Sequence, residues 1–296
     1  VTPTAARPSL SVIIPHYDQA QALDACLASL EAQSIAPERF EIVVVDNASP
    51  GGVDPVRAVV RNRARLYVET TKGAGPARNR GAAQARGEIF AFIDADCVAS
   101  AKWLEEGLRG LERFDIVGGR VDVSVAEEAR MSGAEAFERV FAFDFRSYIE
   151  DKGFTGSGNL FCRRTVFEAV GGFRPAVSED MDWSHRATAM GYSLGYHEPA
   201  AISHPARAGW RDLTRKWSRL NRESLKLSEA RQWGRLKWLA RNWLVPASIV
   251  PHAARILSSP KLPDASARLR ALVTLARIRL WRFADAHRAL FERDGR

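Results

Sequence analysis

The stretch Ile89-Phe90-Ala91-Phe92-Ile93-Asp94-Ala95-Asp96 runs five apolar residues directly into two carboxylates. A short, continuous apolar run rich in Phe and Ile is the pattern of a strand buried on both faces. Along an extended chain residues i and i+2 point the same way, so Asp94 and Asp96 face one cleft. In an open α/β sheet that cleft lies outside the carboxyl ends of the strands, where ligands bind. Two acids at one mouth repel unless a cation sits between them. Hard divalent cations such as Mg²⁺ take oxygen ligands and share them with substrate phosphates. An Asp-rich turn is the plainer reading of the same residues, and the surrounding chain weighs against it.

On the N-terminal side, Ser9-Leu10-Ser11-Val12-Ile13-Ile14-Pro15 reads as a buried strand stopped by proline. Leu23, Leu27 and Leu30 recur at helical spacing within a helix over 20–32. Glu41-Ile42-Val43-Val44-Val45-Asp46 is a β-branched strand ending in an acid, followed by the turn-rich Asn47-Ala48-Ser49-Pro50-Gly51-Gly52. Residues 65–69 form a third strand, and in Lys72-Gly73-Ala74-Gly75-Pro76-Ala77-Arg78-Asn79-Arg80-Gly81 glycines give way to Pro76 at a helix start. Strand, helix, strand, loop, strand, helix, strand predicts βαβ units: an α/β body on a mostly parallel central sheet flanked by helices.

Taken together and in order, Val12-Ile13-Ile14-Pro15-His16-Tyr17, Val44-Val45-Asp46-Asn47-Ala48-Ser49, Ala77-Arg78-Asn79-Arg80-Gly81 and Asp94-Ala95-Asp96 resemble the nucleotide-binding half of family 2 glycosyltransferases, which have the GT-A (Rossmann-like) fold. Downstream, Thr155-Gly156-Ser157-Gly158-Asn159-Leu160 and Val170-Gly171-Gly172-Phe173 are similar to the family's acceptor-side segment. Ser178-Glu179-Asp180-Met181-Asp182-Trp183 is similar to its catalytic-acid motif, and Ile202-Ser203-His204-Pro205 to its late metal-binding histidine. The resemblance covers residues 9–210. It implies a GT-A domain over 1–210, with a nucleotide-binding half over about 9–100 and an acceptor and catalytic half over about 101–210, and it stops short of residues 211–296, which are left as a separate extension.

Glycosyl transfer from a sugar nucleotide needs charge neutralisation at the departing diphosphate, a base for the acceptor hydroxyl, and an orienting contact to the nucleoside. The resemblance assigns the last to Asp46, whose alternative is an Asx turn with the residues that follow. Pro15 and Tyr17 line the same pocket or serve as turn residues. Lys72 and Arg78 supply positive charge near the phosphates, solvated charge being the default for Lys72. Asn79 bonds either the nucleotide or the loop backbone. By resemblance Asp96 and His204 are metal ligands for Mn²⁺ or Mg²⁺, and Asp94 contacts the ribose, the metal or a metal-bound water. Asp180 is the candidate general base, with Glu179 next. The same acids also suit the first turn of a helix. Asn159 falls on the acceptor side, and Trp183 either stacks on a sugar or is buried. From Arg120 to Phe154, Glu135, Phe137, Glu138, Phe141, Phe145 and Tyr148 recur at near-helical spacing and predict a helix.

Composition separates the two parts. Residues 211–296 hold 20 Lys and Arg against 7 Asp and Glu, a net of +13, which leaves −5 of the chain's +8 for residues 1–210. Five of the eight tryptophans, Trp217, Trp233, Trp238, Trp243 and Trp281, fall in the basic part. There Leu213, Trp217 and Leu220, then Leu236, Ala240, Trp243 and Leu244, then Leu269, Leu272, Val273, Ala276, Leu280 and Phe283 keep helical spacing between basic residues. Such amphipathic helices suit an anionic membrane face, and helices packed on the body would look the same. No nucleic-acid motif accompanies the charge. Val1–Pro8 lacks the apolar run of a signal peptide, and Trp238–Ala254 is too interrupted to span a bilayer. Cys26, Cys97 and Cys162 suggest neither a disulfide framework nor a zinc site and favour a reducing compartment.

The expectation is therefore an inverting, metal-assisted glycosyltransferase, peripheral on the cytoplasmic side of the cell membrane. It uses a nucleotide-diphosphate sugar (a UDP-sugar by family frequency) and a saccharide or lipid-linked acceptor. A nucleotidyltransferase is the rival enzyme, disfavoured because Pro15-His16-Tyr17-Asp18 stands where its Gly-rich phosphate loop would follow the first strand. A non-catalytic, membrane-associated sugar-nucleotide-binding protein is the rival outside catalysis.

Overall fold

The computed structural model describes residues 8–174, 178–229 and 232–291, without the side chains of Leu227 and Phe291. The reading of Val1–Pro8 lies, but for Pro8, outside them. In chain order the elements are β1 (Leu10–His16), α1 (Ala20–Glu31), β2 (Phe40–Asp46), α2 (Asp54–Val60), β3 (Arg65–Val68), α3 (Ala74–Gln84), β4 (Ile89–Ile93), β5 (Val98–Ala99), α4 (Trp103–Gly110) and β6 (Ile116–Ser124). They continue with α5 (Gly133–Phe141), α6 (Phe145–Glu150), β7 (Asn159–Arg163), α7 (Arg164–Val170), α8 (Glu179–Ala189), β8 (Leu194–Pro205), α9 (Trp210–Glu229), α10 (Gly234–Ala247), α11 (Ile249–Leu257) and α12 (Ala265–Phe291).

Two compact units divide these elements. One runs to Asp122 and resumes over Phe143–His204; the other takes Val123–Ala142 and the chain from Pro205 onward. In the first, eight strands form one sheet in the order β3-β2-β1-β4-β7-β6-β8-β5. It is parallel across β3, β2, β1 and β4, and antiparallel where β7 meets β4 and β6 and where β5 meets β8. Successive residues of the central strands feed two cores, one on each face. Val12, Ile14, Ala91 and Ile93 join α1 and α2 in one core, whereas Ile13, Phe90 and Phe92 join α7 and α8 in the other. Pro15 does not stop β1. The β4 pairing ends at Ile13↔Phe92, so the missing proline N–H falls beyond that ladder. Parallel pairing in register brings His16 level with Asp46 at the sheet's carboxyl edge.

The second unit is helical. Its core joins Phe137 and Val140 of α5, Leu213 of α9, Ile256 of α11, and the seam Ala267, Ala271, Leu275 and Ile278 of α12. This corrects the expected stripe on the last helix: Leu269, Val273 and Leu280 are exposed, and the small residues of the other seam let the helices approach. On α10 the buried side chains are Trp238 and Asn242, with Gly234 buried at the helix start, while Leu236, Trp243 and Leu244 face out.

The near-helical run from Glu135 to Tyr148 is two helices, not one. Ser132 closes a capping box with Glu135 at the start of α5. The chain then breaks at Phe143 (φ 56°), and Asp144 caps α6. Within α5, Glu138 is buried and accepts from Lys216 Nζ at 2.8 Å and Arg207 Nη1 at 3.0 Å. Burial pushes its carboxyl up, but Lys216 and Arg207 outweigh that and hold it below its ordinary value. A depressed carboxyl adds stability above its unfolded pKa and loses it as pH falls through the folded one. Glu138→Gln, which removes the buried charge that Lys216 and Arg207 face, should therefore lower stability at neutral pH by about 3 kcal/mol. In urea unfolding the deficit should shrink in acid, where the wild-type carboxylate is itself protonated.

Candidate active site

The carboxyl ends of β1, β2 and β4 and the start of α8 bring the predicted acids to one edge of the first unit. Arg78, on α3 and almost wholly buried, joins two of them: Nη2 donates to Asp94 Oδ1 at 2.5 Å and Nη1 to Glu179 Oε1 at 2.8 Å. Glu179 Oε2 accepts from the Gly75 N–H at 3.0 Å, so both of its oxygens are held. Two glycines make room for these carboxylates. A Cβ on Gly75 would stand 2.4 Å from Glu179 Oε2, and one on Gly158 would stand 2.6 Å from Asp94 Oδ2. Burial raises the Glu179 carboxyl above its ordinary value; Arg78 opposes the rise and the neighbouring Asp180 adds to it. Asp180, in the first turn of α8, accepts only from the Met181 N–H, at 2.9 Å, among the described residues.

At the end of β2, Asp46 is buried and engaged. Its Oδ1 meets His16 Nδ1 at 2.8 Å and the Ser49 hydroxyl at 2.5 Å, and its Oδ2 accepts the Ser49 N–H at 3.1 Å. The Gln19 N–H donates to His16 Nε2 at 3.1 Å, so Nδ1 carries the proton toward Asp46. Burial works against the Asp46 charge, yet the bonds from Ser49 and His16 prevail and keep its carboxyl low. The turn formed with Ser49 is present. Pro15 is buried in β1 and Tyr17 is 55% exposed beside it. Asn47 ties down the next loop, donating to Glu69 O and Thr71 O and accepting from the Gly73 N–H. Lys72 is exposed on that loop. Asn79 bonds loop backbone, its amide pairing with both the N–H and the C=O of Phe173.

After β4, Asp96 Oδ2 stands 3.4 Å from His204 Nε2 on β8, and the imidazole packs against the Phe143 ring. Cys97 joins them, with one ligand atom from each of the three lying within 4.8 Å of the others. Burial pushes the Cys97 thiol far up, and a hard cation prefers the carboxylate and imidazole. The Asp96–His204 pair thus fits a divalent ion that completes its shell with other oxygens.

Two residues read for the acceptor side are enclosed. Asn159 is fully buried: Oδ1 accepts from Trp103 Nε1, and Nδ2 donates to the carbonyls of Arg120 and Ala200. Trp183 is fully buried against Phe167 and Phe173, its N–H bonded to Gly171 O. Neither presents a face to a sugar. His16, Asn47 and Cys97 escaped the sequence reading. For His16 the available signal was the equal length of two parallel strands, which sets it opposite Asp46.

The sequence profile of glycosyl transferase family 2 matches residues 11–174. The chain is 31% identical over 232 residues to glycosyltransferase AglE of Haloferax volcanii, covering 76% of this chain and 75% of that protein. This chain belongs to glycosyltransferase family 2. Its fold is that of GT-A glycosyltransferases. Mannosyltransferase PcManGT from Pyrobaculum calidifontis, solved with GDP-Man and Mn²⁺, superposes with a TM-score of 0.62 at 18% identity, over 97% of this chain and 88% of that one. S. aureus TarS 1-349, solved with UDP, superposes at 0.51 and 19% identity, over 95% and 88%. The expectation of a glycosyltransferase over a nucleotidyltransferase or a non-catalytic binder is met at the level of the family.

In this glycosyltransferase Arg78→Met would leave Asp94 and Glu179 facing each other across a buried gap. The Glu179 carboxyl should titrate higher still, read by ¹³C NMR. Stability should drop by about 3 kcal/mol at neutral pH. A raised carboxyl destabilises once ionised, so urea unfolding should find the deficit shrinking as pH falls through the Glu179 value.

Proposed function

We propose that this chain moves a sugar, with inversion, from a nucleoside-diphosphate sugar to a hydroxyl of a lipid-linked or polysaccharide-precursor acceptor. UDP-sugars are the favoured donors. The carrying observation is the contrast within α8: Arg78 and Gly75 hold both Glu179 oxygens, while Asp180 keeps an oxygen not engaged by any described residue. Asp180 is accordingly the general base. It takes the acceptor O–H proton as that oxygen bonds to the anomeric carbon, and the bond from that carbon to the diphosphate breaks on the opposite side. The nucleoside diphosphate departs with the bonding pair. Asp96 and His204, with Asp94 beside them, would hold Mn²⁺ or Mg²⁺, whose chemistry when bound is to neutralise charge on the diphosphate. Arg78 and Lys72 add positive charge nearby, Asp46 with Pro15 and Tyr17 receives the nucleoside, and Asn79 orders the loop. The metal and nucleotides bound by PcManGT and TarS agree with this assignment.

The location follows from the second unit. Nine of the thirteen large apolar side chains exposed among the described residues lie between 233 and 280, in the basic part of the chain, which suits a peripheral seat on an anionic membrane. No helix among the described residues is long and apolar enough to cross a membrane. The cytoplasmic face is where nucleotide sugars and such a seat would meet, and residues 211–296 serve as its membrane-binding extension.

Asp180→Asn tests the base. Product formation from a panel of UDP-, GDP- and dTDP-sugars should fall about a thousandfold, with nucleotide affinity retained. Activity within a few-fold of wild type would remove Asp180 from the role, and a comparable loss in Glu179→Gln alone would transfer it to Glu179.

A further inference from the structure

Between α9, α10 and α12 the second unit collects more positive charge than it pairs. Asp285, on α12, is buried there, and its carboxylate is already occupied: Oδ1 accepts from Ser218 at 3.1 Å, Oδ2 from Asn221 at 2.9 Å, and Arg222 stands 3.8 Å away. Arg282 lies over the Trp217 ring at 3.8 Å, and Arg279 sits one turn before it on α12. Neither guanidinium forms a hydrogen bond or ion pair with a described residue, and the Nε of each is buried without an acceptor. The Trp217 indole N–H is buried without one as well. Burial, reinforced by the like charges of Arg279 and Arg241 and only partly offset by Asp285, pulls the Arg282 guanidinium down to about 9. A packed protein does not hold such donors idle without penalty.

The same corner is apolar on its outside. Trp243 of α10 is 62% exposed and meets Phe283 edge-on at 5.0 Å, next in sequence to Arg282, and Leu280 is exposed next to Arg279. Forked guanidinium donors suit a phosphate oxyanion, and exposed Trp and Leu beside them suit a hydrocarbon chain. We propose that Arg279 and Arg282, backed by Arg241 and Trp217, form a site for the phosphate headgroup of a membrane amphiphile. That the phosphate belongs to a lipid rests on the membrane reading above; the anion site does not.

The full chain is tested on phosphatidylcholine vesicles doped with phosphatidic acid, on the same vesicles doped with phosphatidylglycerol to equal charge, and with inorganic phosphate in solution. Wild type should prefer phosphatidic acid at equal charge. Arg279→Met/Arg282→Met should lose that preference, about tenfold in affinity for each charge-assisted contact removed, and should melt higher than wild type in phosphate-free buffer because two unpaired charges are gone. Arg279→Lys/Arg282→Lys, which keeps the charge without the fork, should retain part of the preference. Unchanged phosphatidic acid binding in the Met variant, or a lower melting point, would overturn the site. Competition by inorganic phosphate at matched concentration would overturn the lipid source and leave a site for free phosphate. Binding of wild type to phosphatidylglycerol vesicles reads the membrane assignment separately, since failure there with phosphate binding intact would sink that assignment alone.

Discussion

A single buried guanidinium holds the candidate site together. Arg78 comes from the third helix, Asp94 from the end of β4, and Glu179 from the first turn of α8, a separation of 101 residues between the arginine and its farther partner. Without that cation, three carboxylates (Asp94, Glu179 and Asp180) would meet at one edge of the sheet with nothing of opposite sign among them. With it, Glu179 is fixed, Asp94 is aimed, and Asp180 is left available. A charge this buried is tolerated because it is shared between two acids. Adjacent residues of one helix turn thus differ: Glu179 is held on both oxygens, and Asp180, the proposed base, accepts only from the Met181 N–H among the described residues.

A second constraint works at the other strand end. His16 and Asp46 become neighbours because β1 and β2 pair in parallel from Leu10↔Phe40 to their tips. The tautomer of His16 is set from both sides, by the Gln19 N–H on one nitrogen and Asp46 on the other. Asn47 then fastens the loop that carries Lys72. The edge proposed to receive the nucleoside is therefore pre-formed by the chain's own hydrogen bonds, with Tyr17 exposed beside it.

Much of this was legible in the residues. The strands of the parallel half are local apolar runs with acids at their ends, so Asp46 and Asp94 stand where the pattern puts them; Asp94–Asp96, however, is a turn closed by the Cys97 N–H on the Asp94 carbonyl, not the extended i, i+2 pair expected. What periodicity could not carry was partnership. Asn159 sits in a motif, yet its amide is used up by Trp103 and by backbone carbonyls 39 and 41 residues away, groups that no motif records. Trp183 follows the acidic turn but faces Phe167 and Phe173 across a helix packing. On α12, two seams at helical spacing compete over 27 residues, and the smaller side chains took the core. Periodicity identifies a helix with two faces; which face is buried depends on what packs there. The break at Phe143 belongs to the same class, because the apolar spacing continues through it while the backbone does not.

Asp96 and His204 are proposed as a cation site that works together with a nucleoside diphosphate. It is tested most directly by titrating Mn²⁺ into the full chain and following free Mn²⁺ by electron paramagnetic resonance, alone and with UDP, GDP or dTDP. One of these nucleotides should markedly tighten Mn²⁺ binding, and Asp96→Ala should abolish the tightening. Binding that no nucleotide changes, or that survives intact in Asp96→Ala, would contradict it.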